Sequence, residues 1–149
     1  MGEMTGRILV IGGSGFIGQH VLRHACEAGL QVTSVAMEIP KAPIPEVSYK
    51  WANVADMPSL VAALGGGQFE YVVNLSGYIV HTSFAQGGAD LIDQHFSGLL
   101  NLVQILDRSV LEGFVQVGSS DEYGASPAPQ REDFREAPIS PYSLGKTAA

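Results

Sequence analysis

Residues 10–18 read Val-Ile-Gly-Gly-Ser-Gly-Phe-Ile-Gly, and few folds can use such a stretch. The apolar run over 7–12 predicts a buried strand, and the pattern over 15–28 predicts a helix that Gly29 ends. Gly12, Gly15 and Gly18 therefore fall at a strand-to-helix turn with GxxGxxG spacing. Glycine there permits a tight reversal, lets backbone amides approach a bound group, and lets the helix lie close on the strand. The helix start presents unpaired N–H groups and favours negative charge. Such a turn suits the pyrophosphate of a dinucleotide, which makes Gly12, Gly15, Phe16, Ile17 and Gly18 cofactor-binding candidates.

The rest of the chain alternates in the same way. Strands are expected at 31–36, 47–52, 70–76 and 113–119, and helices at 56–64 and 89–108. A last helix opens at Pro141 with Ser140 as its N-cap. The Pro-rich stretch 125–141 reads as a loop. Strands apolar on both faces, alternating with helices, predict an α/β fold: a Rossmann-type doubly wound parallel sheet with helices on both faces. In the first helix, Ile17, Val21, Ala25 and Ala28 are expected to face the core, and Gln19, His20, Arg23, His24 and Glu27 the solvent.

Length and composition narrow the class further. At 149 residues, 46% hydrophobic and 15% charged, the chain is sized for one domain. A net charge of -7 argues against nucleic acid or an anionic membrane as a partner. No apolar run approaches the ~20 residues that span a bilayer, and no secretory signal is visible, so a cytoplasmic location is expected. The single cysteine, Cys26, sits in an apolar helical stretch and reads as a small buried hydrophobe. His20 and His24 have metal-like spacing but no evident third ligand, so no metal is expected.

Two further clusters carry chemistry. In a dinucleotide-binding turn, an acidic residue after the second strand commonly holds a ribose hydroxyl. That place falls at Ala36 or Met37; Glu38 is the nearest carboxylate and Lys41 the nearest cation, which leans toward NAD and leaves NADP open. Tyr142 and Lys146 stand four apart on the last predicted helix, on one face. A phenol loses its proton near pH ~10, and a nearby ammonium favours the phenolate, so the pair suits a base near neutral pH. Ser119 and Ser120 follow the fifth strand, at the carboxyl end of a parallel sheet where open α/β folds bind ligands. Taken alone, Ser119, Ser120 and Asp121 read rather as a turn that hydrogen-bonds itself.

The order GxxGxxG, then Asn-Leu-Ser-Gly (74–77), Gly-Ser-Ser-Asp-Glu-Tyr-Gly (118–124) and Pro-Ile-Ser-Pro-Tyr-Ser-Leu-Gly-Lys (138–146) resembles the extended short-chain dehydrogenases/reductases. More narrowly, it resembles their NAD-dependent epimerase/dehydratase group, which modifies nucleotide sugars. The resemblance implies catalytic roles for Ser119, Tyr142 and Lys146, with Ser120 the second choice for the serine. It implies an acid/base role for Asp121 or Glu122, and cofactor contacts from Asn53, Val54, Leu75, Ser76, Gly77, Tyr142 and Lys146. The run 118–124 is similar to that of GDP-4-keto-6-deoxymannose reductases. His81, Thr82 and Ser83 match a loop that often reaches the sugar. This chain departs from the family at Leu75-Ser76-Gly77, where a hydrophobic-Ala-Ala run is usual. It departs again at Asn53, where an Asp is usual, and at His95, where an Asn is. The resemblance further implies members about twice this long that pair as homodimers. The chain is thus expected to be an amino-terminal portion, incomplete at its C-terminal end and without the substrate lobe. The expected activity is epimerisation, dehydration or reduction of a nucleotide sugar. A reductase of a non-sugar carbonyl and a non-catalytic dinucleotide-binding protein are the alternatives.

Overall fold

The structure is a computed structural model that describes residues 5–78, 80 and 82–149. Five strands run β1 (Arg7–Ile11), β2 (Gln31–Ala36), β3 (Val47–Trp51), β4 (Tyr71–Asn74) and β5 (Gly113–Gln116). The helices are α1 (Phe16–Glu27), α2 (Met57–Leu64), α3 (Gly88–Ile92), α4 (Gly98–Ile105) and α5 (Pro141–Ala148). The strands form one sheet in the order β3-β2-β1-β4-β5, and all four pairings are parallel. The chain winds outward from β1 in one direction, then crosses to β4 and winds in the other, as the doubly wound expectation requires.

Strand alternation explains why both faces are covered. In β1, Leu9 and Ile11 point into one apolar layer with Leu60, Leu64, Val72 and Leu102. Ile8 and Val10 point into the other, with Leu22, Ala25 and Val32. A period of two sends neighbouring residues to opposite faces, so a central strand in a sheet covered on both sides must be apolar throughout. α2 and α4 close the first layer and α1 the second.

Four sequence expectations need correction. The helix expected over 89–108 is one helical run, but Asp93–Ser97 is π-helical between α3 and α4, and it stops at Ile105 because Leu106 is extended. The buried stripe of α1 is Gly18, Leu22 and Ala25, while Ile17 is 56% exposed. The stripe shifts because Gly18, without a side chain, is the residue that meets the Gly12–Gly13 backbone. Cys26 is only partly buried against the second layer, and burial pushes its thiol up from the usual range. The strands expected to run to 76 and 119 also end early, β4 at Asn74 and β5 at Gln116, although Leu75 N–H still donates to Ile11 C=O and Val117 N–H to Asn74 C=O.

Arg7, at the start of β1, pairs with Glu70, just before β4. The Glu70 carboxylate accepts from the Arg7 backbone N–H at 2.6 Å and from its guanidinium. The guanidinium and that amide together hold the carboxyl down to about 2. A carboxyl depressed in the folded state stabilises above its ordinary value near 4.5, and that contribution disappears as pH falls toward 2. Glu70→Gln is therefore expected to lower stability at neutral pH and to flatten the acid limb below 4.5. Denaturant midpoints measured at several pH values check this; parallel acid limbs for the two proteins would refute it.

Candidate active site

The site begins at the crossing from β1 to β4. Gly12 has φ +80°, a left-handed conformation suited to glycine, and a Cβ there would stand 3.0 Å from the Leu75 carbonyl oxygen. A Cβ on Gly18 would overlap the Gly12 carbonyl oxygen and lie 2.6 Å from the Gly13 Cα. The absence of these two side chains brings α1, the turn and the end of β4 together. Gly15 is the N-cap of α1, and its N–H donates to Gly12 C=O at 3.1 Å.

Between the turn and the strand ends lies a cavity of about 360 Å³. Gly12, Ser14 and Gly15 form its floor. Met37 and Glu38 stand on the β2 side, and Ser76, Gly77 and Tyr78 on the β4 side. Val54 and Leu75 also line it. A cradle whose floor is glycine backbone at a helix start fits an elongated phosphate-bearing group such as a dinucleotide. Asn53 is engaged beside the cavity: its side-chain oxygen accepts from Ala55 N–H at 3.0 Å and from the Gln94 amide at 3.1 Å. Gln94 itself lines the wall. Phe16 and Ile17 are exposed on the first turn of α1.

The second cluster assembles where β5 ends. Ser119 caps a 3-10 turn (Ser120–Tyr123): its hydroxyl accepts from Asp121 N–H at 3.2 Å, and its own N–H donates to the Glu122 carboxylate at 2.6 Å. Glu122 is thus committed to the Ser119 backbone, whereas the Asp121 carboxylate makes no hydrogen bond among the described residues. Ser120 is exposed. α5 begins as expected, with Ser140 accepting from Ser143 N–H at 3.0 Å and Pro141 in the first helical position. Its Tyr142 and Lys146 are buried, at 7% and 9% exposure, so they do not form a solvated helix face. Lys146 Nζ donates to Val117 C=O at 2.9 Å, which ties α5 to the segment leading into Ser119. Burial pushes the Lys146 ammonium down from its usual range, and the Glu122 carboxylate opposes this. The α5 helix also packs on the 3-10 turn and on the π-helical segment.

His95, from that π-helical segment, reaches the same place. Its ring meets the Tyr142 ring edge-on at 5.2 Å between centroids, and it is 1% exposed. Burial, and then the charge of Lys146, pushes its imidazole down from 6.5, while the Tyr78 backbone partly opposes this.

The structure therefore gathers Gly12, Gly15, Val54, Leu75, Ser76 and Gly77 around one cavity, and Ser119, Glu122, Tyr142 and Lys146 around one corner of the sheet. Ser83 is exposed, with its hydroxyl donating to Gln86 at 3.2 Å; Thr82 lines a neighbouring cavity that shares Tyr78 and Gln94 with the first. His81 lies outside the described residues. His20 and His24 are exposed, and His24 pairs with Glu27 at 3.2 Å. Sequence reading missed Ser14, Tyr78 and Gln94 as cavity residues. Ser14, inside the glycine turn, was open to it; Gln94 depends on the π-helical offset, which has no sequence signal.

Comparison with known proteins adds a family. The family described as "NAD dependent epimerase/dehydratase family" matches residues 8–149. A UDP-glucose 4-epimerase of Lactobacillus helveticus is 24% identical over 144 residues, covering 94% of this chain and 44% of its own. A GDP-6-deoxy-D-mannose reductase of Pseudomonas aeruginosa is 29% identical over 150 residues, covering 98% and 45%. This chain thus spans a little under half the length of these relatives. The crystal structure of the Bordetella bronchiseptica enzyme WbmG in complex with NAD and UDP has the same fold. It matches at TM-score 0.82 and 21% identity, over 97% of this chain and 48% of its own.

Gly18→Ala is expected to destabilise the fold by roughly 1–3 kcal/mol, because the new methyl group meets backbone and not a movable side chain. Urea unfolding measures it; an unchanged midpoint would mean that α1 does not approach the turn this closely.

Proposed function

This chain belongs to the NAD-dependent epimerase/dehydratase family, and on that premise we propose that it is the dinucleotide-binding part of a nucleotide-sugar-modifying enzyme. The reading rests above all on the burial of Tyr142 and Lys146 together against the segment that leads into Ser119. A chance Tyr-Lys pair on a helix surface has no reason to be buried, since a lysine ammonium loses hydration there.

The cofactor is NAD in this reading, held by Gly12, Gly15 and Gly18 at the α1 start, with Glu38 at the ribose and Ser76 and Gly77 along the β4 side. NAD supplies hydride acceptance and return when bound. The chain's own residues handle the proton. The Tyr142 phenolate accepts the proton of the sugar 4-hydroxyl, becoming the phenol, and later returns it. Lys146, a cation one helical turn away, favours the phenolate and binds ribose hydroxyls. The Ser119 hydroxyl hydrogen-bonds the same sugar oxygen. Asp121 is the better candidate for a second acid/base group, because Glu122 already accepts from the Ser119 amide. Relatives named as epimerase and as reductase support nucleotide-sugar chemistry. The choice among epimerisation, dehydration and reduction belongs to groups that position the sugar, which this reading assigns mostly to a lobe beyond these residues.

Calorimetric titration of this chain is expected to show binding of NAD⁺ and weaker or no binding of NADP⁺, since Glu38 would face the added phosphate. Glu38→Ala should narrow that difference; equal binding of both cofactors by the unchanged chain would reject Glu38 as the reader. In the longer protein, Tyr142→Phe should lower kcat on the order of 10²–10⁴-fold while leaving NAD⁺ affinity nearly unchanged. Full turnover by that variant would remove the proposed base.

A further inference from the structure

Among the described residues, His95 is the one buried ionisable side chain beside this site that the proposed chemistry leaves without a task. Three contacts define its surroundings. A Cβ on Gly77, at the cavity wall after β4, would overlap the imidazole. A Cβ on Gly145, in α5, would stand 3.1 Å from the His95 Cβ. The Tyr142 ring meets it edge-on. The imidazole thus fills a gap that glycines leave open on both sides, between the end of β4 and the helix that carries Tyr142 and Lys146.

The same surroundings suit only one charge state. Neither ring nitrogen has a hydrogen-bond partner of good geometry among the described residues, and the Tyr78 backbone is the one polar influence on it that is not a charge. An imidazolium has two N–H donors and needs acceptors for both. The facing ionisable groups add no free carboxylate to balance its charge. From α5 they are Tyr142 and the Lys146 ammonium; α4 contributes no ionisable residue. Asp90 of α3 and Asp93 of the π-helical segment are exposed at the surface, and Glu122 is engaged with the Ser119 amide. A proton on His95 would place a second cation in the site of Lys146, and the depressed imidazole basicity agrees with that.

We propose that His95 is the positioning residue of Tyr142 and Lys146: its neutral imidazole wedges α5 against the end of β4, and its protonation releases that helix. α5 is held in place by its packing on the π-helical segment and the 3-10 turn and by the Lys146 hydrogen bond to Val117 C=O. The linkage sign follows. A histidine depressed in the folded state binds more protons when released, so docking weakens as pH falls below the ordinary value of 6.5. The consequence for catalysis, withdrawal of the Tyr-Lys pair in acid, rests on the function proposed above; the docking itself does not.

The test needs neither cofactor nor substrate. The chain is labelled with ¹³C in its tyrosine rings and histidine imidazoles, and spectra are followed from pH about 7.5 to about 5, the range in which histidine changes charge. Tyr142→Phe and His95→Phe assign the two signals. The Tyr142 signal is expected to move from a ring-shifted to a solvent-like position, with the midpoint of the His95 imidazole and below 6.5, while the Leu9 and Val10 amides stay protected from exchange. His95→Phe should keep the shifted position throughout. A Tyr142 signal that stays put, one that moves only with loss of the strand amides, or one that still moves in a folded His95→Phe protein would each overturn the proposal. Should His95→Phe not fold, the unchanged chain alone decides between the first two and the expected result. Failure to bind NAD⁺ would count against the proposed function and leave this result intact.

Discussion

The contact between Gly18 and the Gly12–Gly13 backbone is the constraint on which the rest of the molecule depends. A single methyl group there would force α1 off the end of β1. With α1 displaced, Leu22 and Ala25 would leave the layer they share with Ile8, Val10 and Val32. The cavity floor is the same backbone, so packing and ligand cradle cannot be separated at this point. Gly12 repeats the arrangement on the other side, where it lies against Leu75. The crossing from β1 to β4 is narrow because both neighbours of the turn meet glycine.

The sheet was legible in the sequence because its physics is local. Arg7–Ile11 and Gln31–Ala36 are apolar enough to be recognised as covered strands, and the helix between them gives way at Gly29. The caps were legible for the same reason: Ser140 and Pro141 start α5 as their chemistry predicts. Features that depend on a third element were not. Ile17 fits the apolar period of α1, yet it is exposed because Gly18 sets which face meets the strand. The π-helical offset at Asp93–Ser97 turns His95 inward and puts Gln94 on the cavity wall, and no pattern of residues announces it. The choice between Asp121 and Glu122 was open in the sequence, since both are acidic and adjacent. It narrows once Glu122 is seen to accept from Ser119 N–H.

Burial of Tyr142 and Lys146 sets them apart from an ordinary amphipathic helix face. Desolvation disfavours the ammonium, and the Glu122 carboxylate partly restores it. The Lys146 hydrogen bond to Val117 C=O fixes where that charge sits, two residues from Ser119. One acidic side chain thus serves both the serine turn and the lysine, which gives the acidic pair after β5 a structural use beside any chemical one.

The parallel register has a consequence for how the molecule assembles. A parallel pair cannot be closed by a tight hairpin, so every strand pairing here waits for a crossover. The pairing of β1 with β4 joins Ile8 to Tyr71, and it brings the Gly12 turn against Leu75. Contacts so distant along the chain form late and slowly during folding, because the intervening loop must first give up its freedom. The cradle is therefore missing from any partly folded form that lacks β4, however well β1, α1 and β2 are made. Ligand binding can then serve as a report on completed topology, and a dinucleotide that binds there would hold together the two halves of the sheet.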